Sequence, residues 1–354
     1  QNSALAPRIL NVLPDENLYP ATVEVTLPQG MTVIPFSSAQ PQLVAEHENN
    51  TVTWRYQDNG AGGILYAGDY VRASIRATGP DAVPDASGAS GEAAVPAGVP
   101  AGGTAEGLAV EFYYGRKHQP VMEQARAVEA VQAVVDYCTE HYGALSFGAG
   151  GSLKLIQSRT SGGGYAADGA SLLDEMDFTA ANLHDGGKGA VPGEVMIHEL
   201  VHQWWGLGNM FDSEDPADPW SAEGLTVYTT YRIVKELYGA DHAQEYYVDQ
   251  WKREVEDYYL DFYVRNPEYL AMLPEEEQLA ITNSLTGMRQ YCEMPLKILR
   301  AEKLVGGEAA MDEILRGLFN RELDWSYPYL TYQEFLDACG LTEEELDLGQ
   351  DISI

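Results

Sequence analysis

The repeat of apolar residues changes period once along this chain, and that change limits what it can fold into. Before residue 117, segments such as 21–27 (ATVEVTL) and 51–56 (TVTWRY) alternate apolar and polar side chains, the two-residue period of a half-buried strand. Pro28-Gln29-Gly30 and Asp58-Asn59-Gly60 punctuate them as turns. From Pro120 the period lengthens. Val121, Ala125, Val128, Val131 and Val135 recur at three- and four-residue steps, with Gly143 as a stop. A short strand-like LKLIQ follows at 153–157. After it the chain reads helical over 192–206, 221–238, 241–258, 289–304, 308–321 and 331–338. Strands first and helices after predict an α+β protein of two units side by side rather than an alternating βαβ sheet. The units fall at 1–117, β-rich, and 118–354, mostly helical. Residues 79–107 contain no aromatic, no Leu or Ile and no basic residue. That stretch reads as a flexible loop inside the β region, because it cannot bury enough to order itself. A strand resumes at 108–114 (LAVEFYY).

Charge narrows the partners. The chain of 354 residues carries 54 Asp and Glu against 21 Lys and Arg, a net charge of −33. Such a surface repels phosphate backbones, which excludes nucleic acid, and it is repelled by anionic lipid. No apolar run reaches the length of a bilayer-spanning helix. The opening QNSALAPRIL has no basic region leading into an apolar stretch, so no signal peptide is expected in it. Either a leader was removed or the chain is part of a longer protein. Cys138, Cys292 and Cys339 are too few and too far apart for a disulfide framework or a CxxC site, and read as small apolar residues. Asn49-Asn50-Thr51 fits a glycosylation sequon, and composition leaves the compartment open.

The chemistry concentrates in residues 197–205, Ile-His-Glu-Leu-Val-His-Gln-Trp-Trp. His198 and His202 stand four apart, so on a helix they share one face and two imidazoles can meet one Zn²⁺. Glu199 follows the first histidine and is placed to act on a water as general base. Pro192 suits a first helical turn. A catalytic zinc site takes three protein ligands, so one must come from another element. Residues 220–228 (WSAEGLTVY) open the next helix, and Glu223 is the candidate.

These two segments resemble the aminopeptidase N-like zinc peptidases of the gluzincin group, which pair HExxH with a Glu in a W-x-x-E-G-x-x-x-Y context. Here His202 and Glu223 are separated by residues 203–222, two more than is usual in that family. The surplus falls in a loop-like stretch at 209–219, where insertion is cheap. The resemblance implies a thermolysin-like catalytic domain with His198, His202 and Glu223 as zinc ligands and Glu199 as base. It also implies a catalytic Tyr at a later helix. Tyr291 fits, because the helix-like 292–305 and then Gly306-Gly307 follow it, although Tyr291-Cys292-Glu293-Met294 departs from the family's Tyr-x-Lys-Gly. The larger departure lies upstream. The family binds substrate backbone along a Gly-Ala-Met-Glu-Asn strand whose Glu holds the free amine. This chain has Gly162-Gly163-Gly164-Tyr165-Ala166 there, with no acid. Gly162, Gly163, Gly164 and Tyr165 are the substrate-binding candidates, and Asp168, Asp174 or Glu175 could stand in for the missing carboxylate.

The expected function is zinc-dependent hydrolysis of peptide bonds in a peptide or protein substrate. The family's C-terminal helical domain has no counterpart here. Such reduced forms resemble peptidase-like modules on larger, membrane-attached bacterial proteins, which favours an extracytoplasmic place. That resemblance keeps open a binding or scaffolding module with weak or no catalysis. A different HExxH hydrolase, such as a glycoprotein-cleaving endopeptidase, is the other alternative.

Overall fold

The computed structural model describes residues 4–5, 21–58, 64–76, 109–124, 126–145, 152–158, 164–167, 169–175, 191–211, 219–324, 326–349, 352 and 354. The expected loop at 79–107 lies outside these, as do Gly162, Gly163 and Asp168.

Two small antiparallel sheets form first. One orders Ala21–Pro28, Thr51–Asp58 and Gln42–His47, and the other orders Ala4–Leu5, Leu65–Gly68 and Thr32–Pro35. Between them Val33, Tyr56, Leu65 and Ala67 make a small core.

The central feature is a five-stranded sheet. Its order is Gly164–Ala167, Ala170–Asp174, Leu153–Ser158, Ala109–Gly115, Tyr70–Arg76. The three middle strands run parallel and the two outer ones antiparallel. Ala109–Gly115 reaches its parallel neighbour Leu153–Ser158 through the helix Ala127–His141. That crossover is a βαβ unit, so the expectation of units without one is corrected. Each of its elements is read from the sequence, but which strands pair is set by contacts far apart in the chain, and Leu153–Ser158, buried at every position, lies at the centre of the sheet. The sheet also takes strands from both sides of residue 117, so the expected division at 117/118 falls inside it.

Both faces of this sheet are covered. Phe112, Leu155 and Leu173 pack into the main core with the helices. Their neighbours Tyr113, Ile156 and Leu172 turn the other way onto Ile34, Phe36 and Tyr66 of the N-terminal strands. One side chain bridges that second interface: Lys154, fully buried, donates from Nζ to the carbonyls of Ser37 and Ala39.

Among the described residues the rest is mostly helical, as the sequence predicts, with one short parallel pair, Met210–Phe211 beside Tyr329–Leu330. The helices that matter for the site are Val191–Val201, Ala222–Tyr238 and Met294–Val305. Gly224 lets the last two approach, since a Cβ there would come within 3.1 Å of Met294 Cβ and nearer to its Cγ. The three buried indoles of the motifs serve the packing. Trp204 donates to Gly143 O at 2.8 Å, Trp205 to Thr229 Oγ1 at 3.1 Å and Trp220 to Leu330 O at 2.9 Å. The helix Glu275–Met288 was not expected, and none of its side chains is buried. A helix without a core-facing stripe gives periodicity nothing to report. Among the described residues no helix is long and apolar enough to cross a membrane.

Candidate active site

Helix geometry brings the two histidines together. His198 and His202 sit one turn apart at the end of Val191–Val201, with Met196, Ile197, Leu200 and Val201 holding the helix in the core. Their Nε2 atoms stand 3.0 Å apart, with the rings nearly perpendicular. Glu223, in the first turn of Ala222–Tyr238, places Oε2 at 3.0 Å from His198 Nε2 and 3.4 Å from His202 Nε2. One ligand atom from each residue falls within 4.8 Å of the others, so the group could hold a metal ion. Glu223 Oε2 is buried and has no partner of hydrogen-bond geometry. Buried polar atoms are rarely left so, and two imidazole nitrogens with a carboxylate oxygen are a zinc donor set. The residues therefore fit the ion that the resemblance implies.

The outer side of the site sets the tautomer. His202 Nδ1 lies 3.1 Å from Trp205 O and 3.2 Å from Thr226 Oγ1. A proton on Nδ1 satisfies the carbonyl and leaves Nε2 with its lone pair facing inward.

Electrostatics follow from burial and crowding. Burial pushes His198 below the ordinary histidine value, against the pull of Glu223. Burial also works against a charged His202, but Glu223, Glu199 and the Trp205 carbonyl outweigh it and hold this ring above the ordinary value. Glu223, although buried, is held well below the usual carboxylate range by the two histidines. Glu199, 8% exposed, is pushed up to about 7, chiefly by burial; His202 opposes the shift and Glu223 adds to it.

Tyr291 reaches the site from the opposite side. It sits on a π-turn, Arg289–Glu293, that leads into Met294–Val305. Its ring stacks on His198 at 6.0 Å between centroids. Its phenol is raised well above the usual range, first by burial and then by the facing Glu223 and Glu199 carboxylates. The ring remains 42% exposed, so it forms part of the mouth of the site.

Gly164 is brought against Glu199. A Cβ at that position would lie 2.6 Å from Glu199 Cδ and 2.7 Å from Oε1, so a side chain there would have to displace the Glu199 carboxylate. Gly164 opens the edge strand of the central sheet. The next residue, Tyr165, is 61% exposed and rests on Phe36 at 6.0 Å. Of the possible stand-in acids that are described, Glu175 pairs with Lys117 at 3.2 Å, and Asp174 is buried at the end of its strand, next to Leu173, the register partner of Gly164.

Sequence reasoning missed Gln203 and Ser171. Gln203 Nε2 donates to Ala167 O at 3.0 Å and lies 3.2 Å from Ser171 Oγ, while its Oε1 accepts from Gly169 N at 3.1 Å. Ser171 donates to the carbonyl of Glu199 at 2.8 Å. The position of Gln203 beside His202 was the only available signal.

No protein-family model matches the chain. Over 144 residues it is 25% identical to Leucine aminopeptidase 2 of Eremothecium gossypii, covering 41% of this chain and 22% of that protein. Among solved structures it is similar to native yeast LTA4 hydrolase, with a TM-score of 0.50 and 14% identity over 94% of this chain and 46% of that one. The same yeast enzyme in complex with bestatin gives 0.51 and 15%, over 90% and 43%. The chain thus spans less than half the length of the proteins it matches, and it shares their fold: N-terminal β-sheets followed by a mostly helical domain.

Proposed function

We propose that this chain is a zinc-dependent peptidase of the aminopeptidase N-like, gluzincin type, with His198, His202 and Glu223 as ligands, Glu199 as general base and Tyr291 as oxyanion donor. The observation that carries the reading is the convergence of three donor atoms within 4.8 Å around a buried Glu223 oxygen that has no hydrogen-bond partner. The proteins this chain is similar to, one in sequence and one in fold, are an aminopeptidase and a hydrolase by name, which supports a peptidase role. A zinc ion bound there supplies Lewis acidity, polarising a carbonyl and making water acidic enough to attack it near neutral pH.

The chain's own residues do the rest. Glu199 holds its proton loosely near neutrality, so it can accept one from the attacking water and deliver it to the leaving nitrogen. Tyr291 keeps its phenolic proton and donates a hydrogen bond to the oxygen that gains charge. The bare Gly164 lets the Glu199 side chain lie directly against the edge strand, and that strand can pair with a substrate backbone. A binding module without catalysis would leave the burial of Glu199 without purpose.

An aminopeptidase must also pair the substrate ammonium, because a buried unpaired charge is costly. Residues 162–167 offer no carboxylate for that. We therefore expect cleavage that does not depend on a free amine. The test compares a peptide with its N-acetylated twin on the zinc-loaded chain, with Glu199→Gln as control. Both peptides should be cut, and Glu199→Gln should keep its zinc while losing about 10²–10⁴ in rate. Cleavage of the free peptide alone would reject the substrate reading. Full activity in Glu199→Gln would reject the mechanism.

A further inference from the structure

The edge strand Gly164–Ala167 is useful to a peptidase only if its distance from Glu199 is fixed. Strand pairing alone does not fix it, since the strand has one neighbour, Ala170–Asp174, in the sheet. The turn that joins the two strands is gripped from two sides. On one side is Gln203, 2% exposed, immediately after the ligand His202. Its amide spans the turn, donating to Ala167 O where the edge strand ends and accepting from Gly169 N where the next begins. On the other side stands Ser38 of the N-terminal strands. Gly169 has φ +74°, and a Cβ there would sit 2.7 Å from Ser38 Cβ and 2.8 Å from its backbone nitrogen. Ser171 then ties the second strand to the Glu199 carbonyl.

Resting on the peptidase reading, we propose that Gln203 is a positioning residue: it locks the edge strand to the ligand helix and so sets where a substrate backbone lies relative to Glu199. It touches neither the ligand atoms nor the reacting bond. The anchor lies in the turn two residues past the end of the helix that carries Glu199, so it ties the edge strand to the same short stretch of chain as the base. Any strand that recruits a peptide through main-chain hydrogen bonds depends on holding its own backbone still.

The test uses Gln203→Met, which keeps the volume and removes all three hydrogen bonds, on the zinc-loaded chain. KM for an extended peptide should rise about tenfold, the worth of one to two neutral hydrogen bonds. Zinc content and kcat should remain at the wild-type level. A twin peptide N-methylated on both sides of the cleaved bond cannot pair with the strand, so for it the variant should match wild type. Equal loss on both peptides, or no loss on either, overturns the proposal. Hydrogen exchange gives a readout independent of catalysis: protection of the Gly169 amide should fall in Gln203→Met. Unchanged protection overturns the anchor, whereas a wild-type chain that cleaves nothing would count against the peptidase reading alone. Should the methionine variant fail to fold, Gln203→Glu carries the test. It keeps the acceptor for Gly169, so that amide stays protected, and it loses the donor to Ala167 O, so KM still rises. A wild-type KM in Gln203→Glu would overturn the proposal.

Discussion

One helix, Ala222–Tyr238, carries two clusters of buried charge, and they are built on opposite terms. In its first turn Glu223 faces two imidazoles and has a carboxylate oxygen without a hydrogen-bond partner. Two turns later Arg232 is surrounded by opposite charge. Its guanidinium lies 3.3 Å from Glu302, 3.3 Å from Asp312 and 2.7 Å from the Tyr228 hydroxyl, which itself donates to Glu302 at 2.5 Å. His141 closes the group on Asp312 at 2.8 Å. One oxygen there, Asp312 Oδ1, lacks a partner, but its carboxylate is paired twice through Oδ2. Charges that answer one another hold helices together. Two imidazole nitrogens and a carboxylate gathered with no cation of their own leave room for a metal ion that all three can bind.

The comparison breaks most readily at its first member. Glu223→Ala should lower zinc affinity by more than about 100-fold, beyond what loss of an outer-shell partner does, while the chain stays folded. Competition against a coloured chelator measures it, and wild-type affinity would move Glu223 into the structural class. Arg232→Met should do the reverse. Leaving Glu302 and Asp312 buried without their cation costs about 3–5 kcal/mol, with zinc affinity unchanged. Urea unfolding of the metal-free chain gives the first number, and a shift under 1 kcal/mol would show the cluster to be dispensable. Thr226→Val sharpens the boundary between the classes. Thr226 is fully buried on the same helix and meets His202 Nδ1, so its loss should weaken zinc roughly 10-fold with little effect on stability.

The smallest effect concerns a third buried charge. Lys154 is lowered to about 7 from an ordinary 10.5, chiefly by burial, with Glu111 opposing the shift. Between those values the unfolded chain holds a proton that the folded chain lacks, so stability rises with pH across that window. The penalty of burying the charge is fully present below about 7. Lys154→Met should remove this part of the slope, so its stability relative to wild type should be greatest at pH 7 and decline toward pH 10. Parallel pH profiles for the two proteins would show that the lysine is charged and compensated instead.

How far these features were legible depends on the sequence distance over which each is encoded. His198, Glu199 and His202 follow from one helical turn, and Glu223 from a helix start marked by residues 220–228. Tyr291 was placed only through resemblance, and the structure stacks it on His198. Gln203, by contrast, works through contacts 32 to 36 residues away, which no local period encodes. The strands and helix of the βαβ crossover are read one by one, at 108–114, from Pro120 and at 153–157, but the parallel pairing of the two strands is a distant contact that no local period encodes. Gly164 is a substrate-binding candidate through resemblance alone, and only its nearness to the Glu199 side chain shows that a side chain there would displace that carboxylate.

The π-turn under Tyr291 has an evolutionary consequence. In it the amide of Met294 reaches back five residues to Arg289 O, where an ordinary helix reaches four. The turn therefore holds one residue more than a continuous helix would. Losing that residue would turn everything before it by about 100° about the axis and carry Tyr291 off the face of His198. What precedes it is Glu275–Met288, a helix that fully buries no side chain and meets the main core through the half-buried Met288. A single-codon insertion could thus have swung an aromatic side chain into the site with little disturbance to the core, and a single-codon deletion could withdraw it.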